Sequence, residues 1–140
     1  MKITVFAIGR PKSRAVQELV ADYAERLTHY LPFEIKACRD EKQALGSLDP
    51  QDFFVVLDER GLQKSSMEMA DFISEHQRRG TKRIVFFVGG EAGIGEIIMK
   101  RSDQRFSLSR MTYPHELVQV VLAEQLYRAC TIIRGEPYHK

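Results

Sequence analysis

Two short, wholly apolar runs constrain this chain more than any other feature. Phe53-Phe54-Val55-Val56-Leu57 and Ile84-Val85-Phe86-Phe87-Val88 contain no polar residue. The first empties into Asp58-Glu59-Arg60-Gly61, a polar loop, and the second into Gly89-Gly90-Glu91-Ala92-Gly93-Ile94-Gly95. A strand wetted on one face alternates, whereas an unbroken apolar run suits a strand covered on both faces, as in a parallel sheet. Parallel strands need long crossovers, usually helical. The residues between the runs fit that need. Ser65-x-x-Glu68 has capping-box spacing, Met69, Phe72 and Ile73 point inward, and Gly80 is placed to end the helix.

The rest of the chain repeats the alternation. Ile3 to Ile8 is β-rich and stops at Gly9 and Pro11. Ser13 can cap a helix whose apolar residues run Ala15, Val16, Leu19, Val20, Tyr23, Ala24 and Leu27, ended by Pro32. Phe33–Cys38 reads as a strand, and a short helix is predicted around Glu41–Leu45. A helix of about ten residues follows the glycine loop to near Arg101. Phe106–Ser109 reads as the fifth strand, and Pro114 as the first position of a last helix running to about Ile133. Such an order predicts an α/β fold, a mostly parallel sheet flanked by helices, in one domain spanning 1–140.

Composition closes off several classes. At 44% apolar and 29% charged residues, the 140-residue chain can form a core and is not a disordered segment. No apolar run approaches the roughly 18 residues of a membrane span. The first residues lack the apolar centre and cleavage site of a secretory signal, so a cytoplasmic location is expected. Cys38 and Cys130 read as small buried hydrophobes rather than a disulfide, and no Cys/His spacing suggests a metal. Net charge is only +2, but residues 100–140 carry 7 basic and 4 acidic side chains. A basic C-terminal third suits a phosphate-rich partner, and a solvated surface would carry the same mild excess.

The last helix is apolar nearly all round. Its polar remainder is Glu124, Gln125, Arg128 and Thr131, with Glu124 and Arg128 one turn apart and able to pair. A helix of this kind is covered on both sides, by the core of its own chain or partly by a second subunit.

In open α/β sheets ligands lie beyond the carboxyl ends of the strands. Three such ends stand out: after Leu57, at Gly89-Gly90, and at Leu108–Tyr113. The glycine loop follows neither G-x-G-x-x-G nor the P-loop pattern, and Glu91 would repel a pyrophosphate. An uncharged adenosine read by backbone groups fits better. Among the histidines, His29 and His76 read as surface positions, while His115 opens the last helix and His139 lies in the tail.

Three longer motifs carry a resemblance. Leu108-Ser109-Arg110-Met111-Thr112-Tyr113-Pro114-His115, Glu124-Gln125-Leu126-Tyr127-Arg128-Ala129 and Gly135-Glu136-Pro137-Tyr138-His139-Lys140 resemble the RlmH family. So do Met1-Lys2-Ile3-Thr4 through Gly9, and Phe87-Val88-Gly89-Gly90 with Gly93. These are small bacterial SPOUT-class methyltransferases that methylate N3 of a pseudouridine in large-subunit ribosomal RNA with S-adenosylmethionine. The stretch around residues 39–52 looks shorter than is usual for the family. The resemblance implies a C-terminal trefoil knot and a homodimer with the cofactor pocket near the subunit interface. It implies cofactor contacts at Leu57, Gly89, Leu108, Ser109, Arg110, Met111, Thr112 and Tyr113.

For methyl transfer the candidates are His139 and Arg128, as base or as donors to a ring anion, with Tyr138 as a positioning contact. His115 is a second-rank base. Arg10, Lys12, Arg110, Arg134 and Lys140 are candidates for holding the RNA, which is expected to be folded within the ribosome. A SPOUT methyltransferase acting on another RNA, such as transfer RNA, and a non-catalytic ribosome-binding factor are the competing readings.

Overall fold

The computed structural model describes residues 1–140. Its elements are β1 (Lys2–Ile8), α1 (Arg14–Thr28), β2 (Phe33–Cys38), α2 (Glu41–Gly46), β3 (Phe53–Gln63), α3 (Ser66–Arg79), β4 (Arg83–Val88), α4 (Glu96–Arg101), β5 (Gln104–Ser107) and α5 (His115–Ile133). The five strands form one sheet in the order β2-β1-β4-β3-β5, and all four pairings are parallel.

The two apolar runs occupy the interior of the sheet. Ile84 to Phe87 pair with β1 on one side and β3 on the other. Successive side chains then enter different layers. Ile84, Phe86 and Val88 join Ile3, Val5, Ala7, Val55 and Leu57 beneath α1, α3 and α5, where Leu27, Ile73, Leu122 and Leu126 meet them. Val85 and Phe87 join Phe6, Phe54 and Val56 beneath α2 and α4, which contribute Ala44 and Ile98. Both cysteines are free and buried, as the sequence predicts.

Local signals formed as read at several points. Ser13 accepts from Val16 N, Ser65 and Glu68 make a reciprocal capping box, and Gly80 ends α3. Boundaries moved at two. Pro114 is the residue before the first turn of α5, not within it. The fifth strand lies two residues earlier than expected, at Gln104–Ser107, because its register follows Val55–Leu57 of β3.

Two sequence expectations are corrected. Asp58–Gly61 is not a loop that ends β3. The strand continues to Gln63, and Phe106 faces both Leu57 and Leu62, so residues 58–61 bulge out of a ladder that then resumes. Gly61 is the residue this bulge requires: a Cβ there would lie 2.7 Å from the backbone of Arg105. His76 is not a surface residue. It is 3% exposed, with Nδ1 2.7 Å from Thr81 Oγ1 and its ring against Phe53 and Phe72.

Burial, with a smaller contribution from Arg79, lowers the pKa of His76 below its ordinary 6.5. The folded ring therefore takes a proton less readily than the unfolded one. Its contribution to stability is complete above about pH 6.5 and is lost as pH falls from there towards the folded value. The urea midpoint should hold between about pH 8 and 7 and fall below about 6.5, with a smaller fall in His76→Gln. An identical pH profile in that variant would show that His76 does not drive the loss.

Candidate functional site

The bulge of β3, the carboxyl end of β4 and the segment before α5 enclose a cleft of about 590 Å³. Its floor is Leu57 and the backbone of Gly89 and Gly90. The glycine loop is a tight turn in which Gly90 and Gly93 bridge each other, with Gly93 at φ +84, a conformation other residues rarely adopt. Glu41 of α2 accepts from Gly95 N at 2.8 Å, so the second helix layer holds the end of this loop.

The β3 bulge supplies the acidic wall. Asp58 and Glu59 line the cleft together with Glu91. The Asp58 side chain is only 8% exposed, and its Oδ2 has no hydrogen-bond partner. The nearest cations are Arg60 Nε, 3.8 Å from Oδ1, and Arg105 Nη1, 4.0 Å from Oδ2. Thr112 donates to Glu59 at 2.6 Å and ties the far wall to the bulge. Tyr113, His115 and Val118 complete that wall.

Of the cofactor residues the resemblance implies, Leu57, Gly89, Thr112 and Tyr113 line this cleft. Leu108, Ser109, Arg110 and Met111 do not. Leu108 packs on the core, Ser109 accepts from Ser107 Oγ through its carbonyl and from Met111 N through its hydroxyl, and Arg110 and Met111 are exposed. Sequence reasoning did not assign Asp58, Glu59 or Val118 to the site. The signal for the first two was their place directly after the apolar run.

The other candidates form a second cluster at the far end of α5. Arg128 Nη2 lies 2.6 Å from Glu124, and its guanidinium sits 4.8 Å above the Tyr138 ring. Arg128 Nη1 is 3.0 Å from His139 Nδ1, and Tyr138 donates to Glu124 at 3.1 Å. Since a guanidinium can only donate, Nδ1 of His139 is the acceptor, and the neutral ring carries its proton on Nε2. Burial, then Glu124, pushes the Tyr138 hydroxyl up to about 12, so it stays protonated at neutral pH. Tyr138 also packs edge-on against Tyr127, with ring centroids 4.8 Å apart, which anchors the tail.

The two clusters do not meet within one chain. His115 and Arg128 stand thirteen residues apart on α5, about 20 Å at the helical rise. The side of α5 between them carries Leu117, 46% exposed, and the half-buried Val120 and Val121. The polar residues of this helix also differ from expectation. Thr131 is buried, with its hydroxyl on the carbonyl of Arg128, and Gln119 is a buried amide that the sequence reading passed over. No group of His, Cys, Asp and Glu is arranged to hold a metal ion, and no helix is long and apolar enough to cross a membrane.

Comparison with known proteins bears on this geometry. A family described as "Predicted SPOUT methyltransferase" matches residues 1–139. A protein of Coprothermobacter proteolyticus named ribosomal RNA large subunit methyltransferase H is 39% identical over 140 residues, covering all of both chains. A protein of the same name from Carboxydothermus hydrogenoformans is 37% identical over 159 residues, again covering all of both. A solved structure of a probable methylase family protein from Haemophilus influenzae superposes with a TM-score of 0.56 at 10% identity, covering 99% of this chain and 70% of that one. That last likeness concerns the fold alone.

Proposed function

The chain belongs to the SPOUT methyltransferase family, and from that premise we propose that it transfers a methyl group from S-adenosylmethionine to N3 of a pseudouridine in large-subunit ribosomal RNA. In this reading it acts in the cytoplasm, on the ribosome, as a homodimer of single-domain subunits. The reading includes the family's C-terminal trefoil knot, which accords with α5 packing back against α3 and α1 after the edge strand β5.

One observation carries the proposal most: the cleft between the β3 bulge and the end of β4 is acidic, and the Oδ2 of its buried Asp58 accepts no hydrogen bond and has only Arg105 near it, at 4.0 Å. Such an atom is costly until something donates a hydrogen bond to it. A ligand bearing cationic and hydroxyl groups meets that need, and a phosphate-bearing one does not. When bound, S-adenosylmethionine supplies an activated methyl carbon and accepts the electron pair of the bond that breaks. Leu57 and the Gly89-Gly90 backbone offer an apolar floor for an adenine ring. Asp58 holds the cationic or hydroxyl groups. If so, Asp58→Asn weakens binding of the donor about ten- to a hundredfold by calorimetry. An unchanged Kd would remove Asp58 from the site.

The partner supplies what the cleft lacks. In a two-fold dimer each contact occurs twice, so residue i of one subunit meets j of the other and the reverse. Pairing α5 with its copy in antiparallel fashion through Leu117, Val120 and Val121 would bring Arg128, Tyr138 and His139 of one subunit over the cleft of its partner. There Arg128 and the Nε2–H of His139 donate to the carbonyl oxygens beside N3. They favour the ring anion as N3 gives its proton to solvent, and the freed pair forms the N–C bond. His139 then works as a donor rather than a base. Tyr138, held protonated, positions both. The exposed Arg10, Lys12, Arg110, Arg134 and Lys140 hold RNA phosphates, so binding weakens steeply with salt.

The test incubates the purified protein with labelled S-adenosylmethionine and ribosomes lacking the modification, then maps the label. Label on a large-subunit pseudouridine is the expected result. Label on transfer RNA only would replace the substrate, and binding to ribosomes without label would favour a non-catalytic factor.

A further inference from the structure

A second cavity lies beside the cofactor cleft. It has a volume of about 490 Å³ and opens where β1 and β2 end beneath α1. Its walls are the aliphatic side chains of Val20, Ala24, Ile35 and Ala37, and Arg10 stands at its rim. No acidic residue lines it. Two glutamines line it: Gln17 of α1, whose Nε2 donates to the carbonyl of Pro11, and, from the core side, Gln119 of α5, 2% exposed, whose Nε2 finds no hydrogen-bond partner in the protein. Buried amides are almost always paired, and an unpaired one marks a missing partner.

The cavity is also well placed. Gln119 follows Val118, which lines the cofactor cleft, and Ile8 at the end of β1 touches the position of a Cβ at Gly90. The two openings therefore flank the first turn of α5 on the same end of the sheet. The backbone N–H of Lys12 donates to Glu116 there, which fixes the rim loop to that turn.

We propose that this cavity takes one unpaired nucleobase of the RNA substrate, a neighbour of the nucleotide that is methylated. The inference rests on the RNA-methyltransferase reading above. Three features select a base over other occupants. Aliphatic walls accept a flat ring. A carboxamide offers a donor and an acceptor side by side, the complement of a base edge. Arg10 and the exposed Lys12 supply positive charge at the mouth for the phosphates that flank an extruded base. The pocket thus gives a small domain a second point of recognition in an RNA where shape alone would leave many similar sites.

Two variants test it. Gln119→Leu keeps the bulk and removes the amide. Ala21→Trp fills the mouth from an exposed position on α1 that lines the cavity without belonging to the core. Each should raise KM for large ribosomal subunits about tenfold or more, with kcat at saturation and the Kd for S-adenosylmethionine unchanged. Wild-type KM in both variants would overturn the proposal while leaving the methyltransferase reading intact. Loss of dimerisation in sedimentation, with RNA binding lost only in step with it, would assign the cavity to the partner subunit and overturn the proposal as well. A wild-type protein that methylates no ribosomal RNA would overturn the underlying reading, and the base pocket with it.

Discussion

Arg128→Ala should lower kcat for methyl transfer about 100- to 1,000-fold, the cost of losing one well-placed donor to developing negative charge, while donor affinity stays close to wild type. The expectation follows from what the guanidinium touches. It pairs with Glu124, holds Nδ1 of His139 and covers the face of Tyr138. Removing it withdraws a donor, frees the His139 ring to turn, and leaves a carboxylate beside the reacting ring. Arg128→Lys should recover little, because an ammonium cannot pair with Glu124 and reach His139 through one rigid fork. His139→Ala should cost less than Arg128→Ala, since the guanidinium remains. Single-turnover rates with calorimetric Kd values separate the two effects. Wild-type kcat in Arg128→Ala would exclude the tail cluster from the chemistry.

Phe86→Ala should cost about 3–5 kcal/mol of folding stability. Phe86 is fully buried on the central strand, paired with Val5 on one side and Val55 on the other. Its ring lies in the layer beneath α1, α3 and α5, so its loss leaves a void that a strand bonded on both edges cannot move to fill. Against a total of about 5–15 kcal/mol, that is a large fraction. The same strand presents Gly89 and Gly90 to the cleft, so cofactor binding should fail in proportion to unfolding. Urea denaturation of Phe86→Ala beside Ile84→Val measures it. A loss below about 1 kcal/mol would mean the two-sided core is not built around this strand.

What could be read in the sequence, and what could not, divides along a physical line. Features set by adjacent residues were legible: the apolar runs that had to be buried on both faces, the Ser65–Glu68 box, the stop at Gly80. Features set by partners distant in the chain were not. The β3 bulge exists because β5 pairs with both sides of it, and nothing within 58–61 announces that Asp58 will be left buried beside Arg105. The position of β5 slipped for the same reason. The polar sequence neighbours of His76 suggest a surface position, but its spacing from Phe72 and Ile73 puts it on their buried helix face. In the tail cluster the Glu124–Arg128 pair was legible from helical spacing, but its joining to Tyr138 and His139 as one site was implied only by family motifs. Their separation from the cleft was implicit in the helix itself, because thirteen residues of helix cannot bring His115 and Arg128 together.

That separation gives the account its most direct test. Gly89→Leu puts a side chain into the cofactor cleft, where even a Cβ stands 3.0 Å from Ile94 Cγ1, and Arg128→Ala disables the tail. Each variant alone should be nearly inactive. Unfolded together and refolded as a mixture, they should form mixed dimers in which one of the two sites combines an intact cleft with an intact tail from the other subunit. Random pairing predicts recovery of about a quarter of wild-type activity. A mixture as inactive as its components would contradict the account, because it would place cleft and tail of the working site in the same chain.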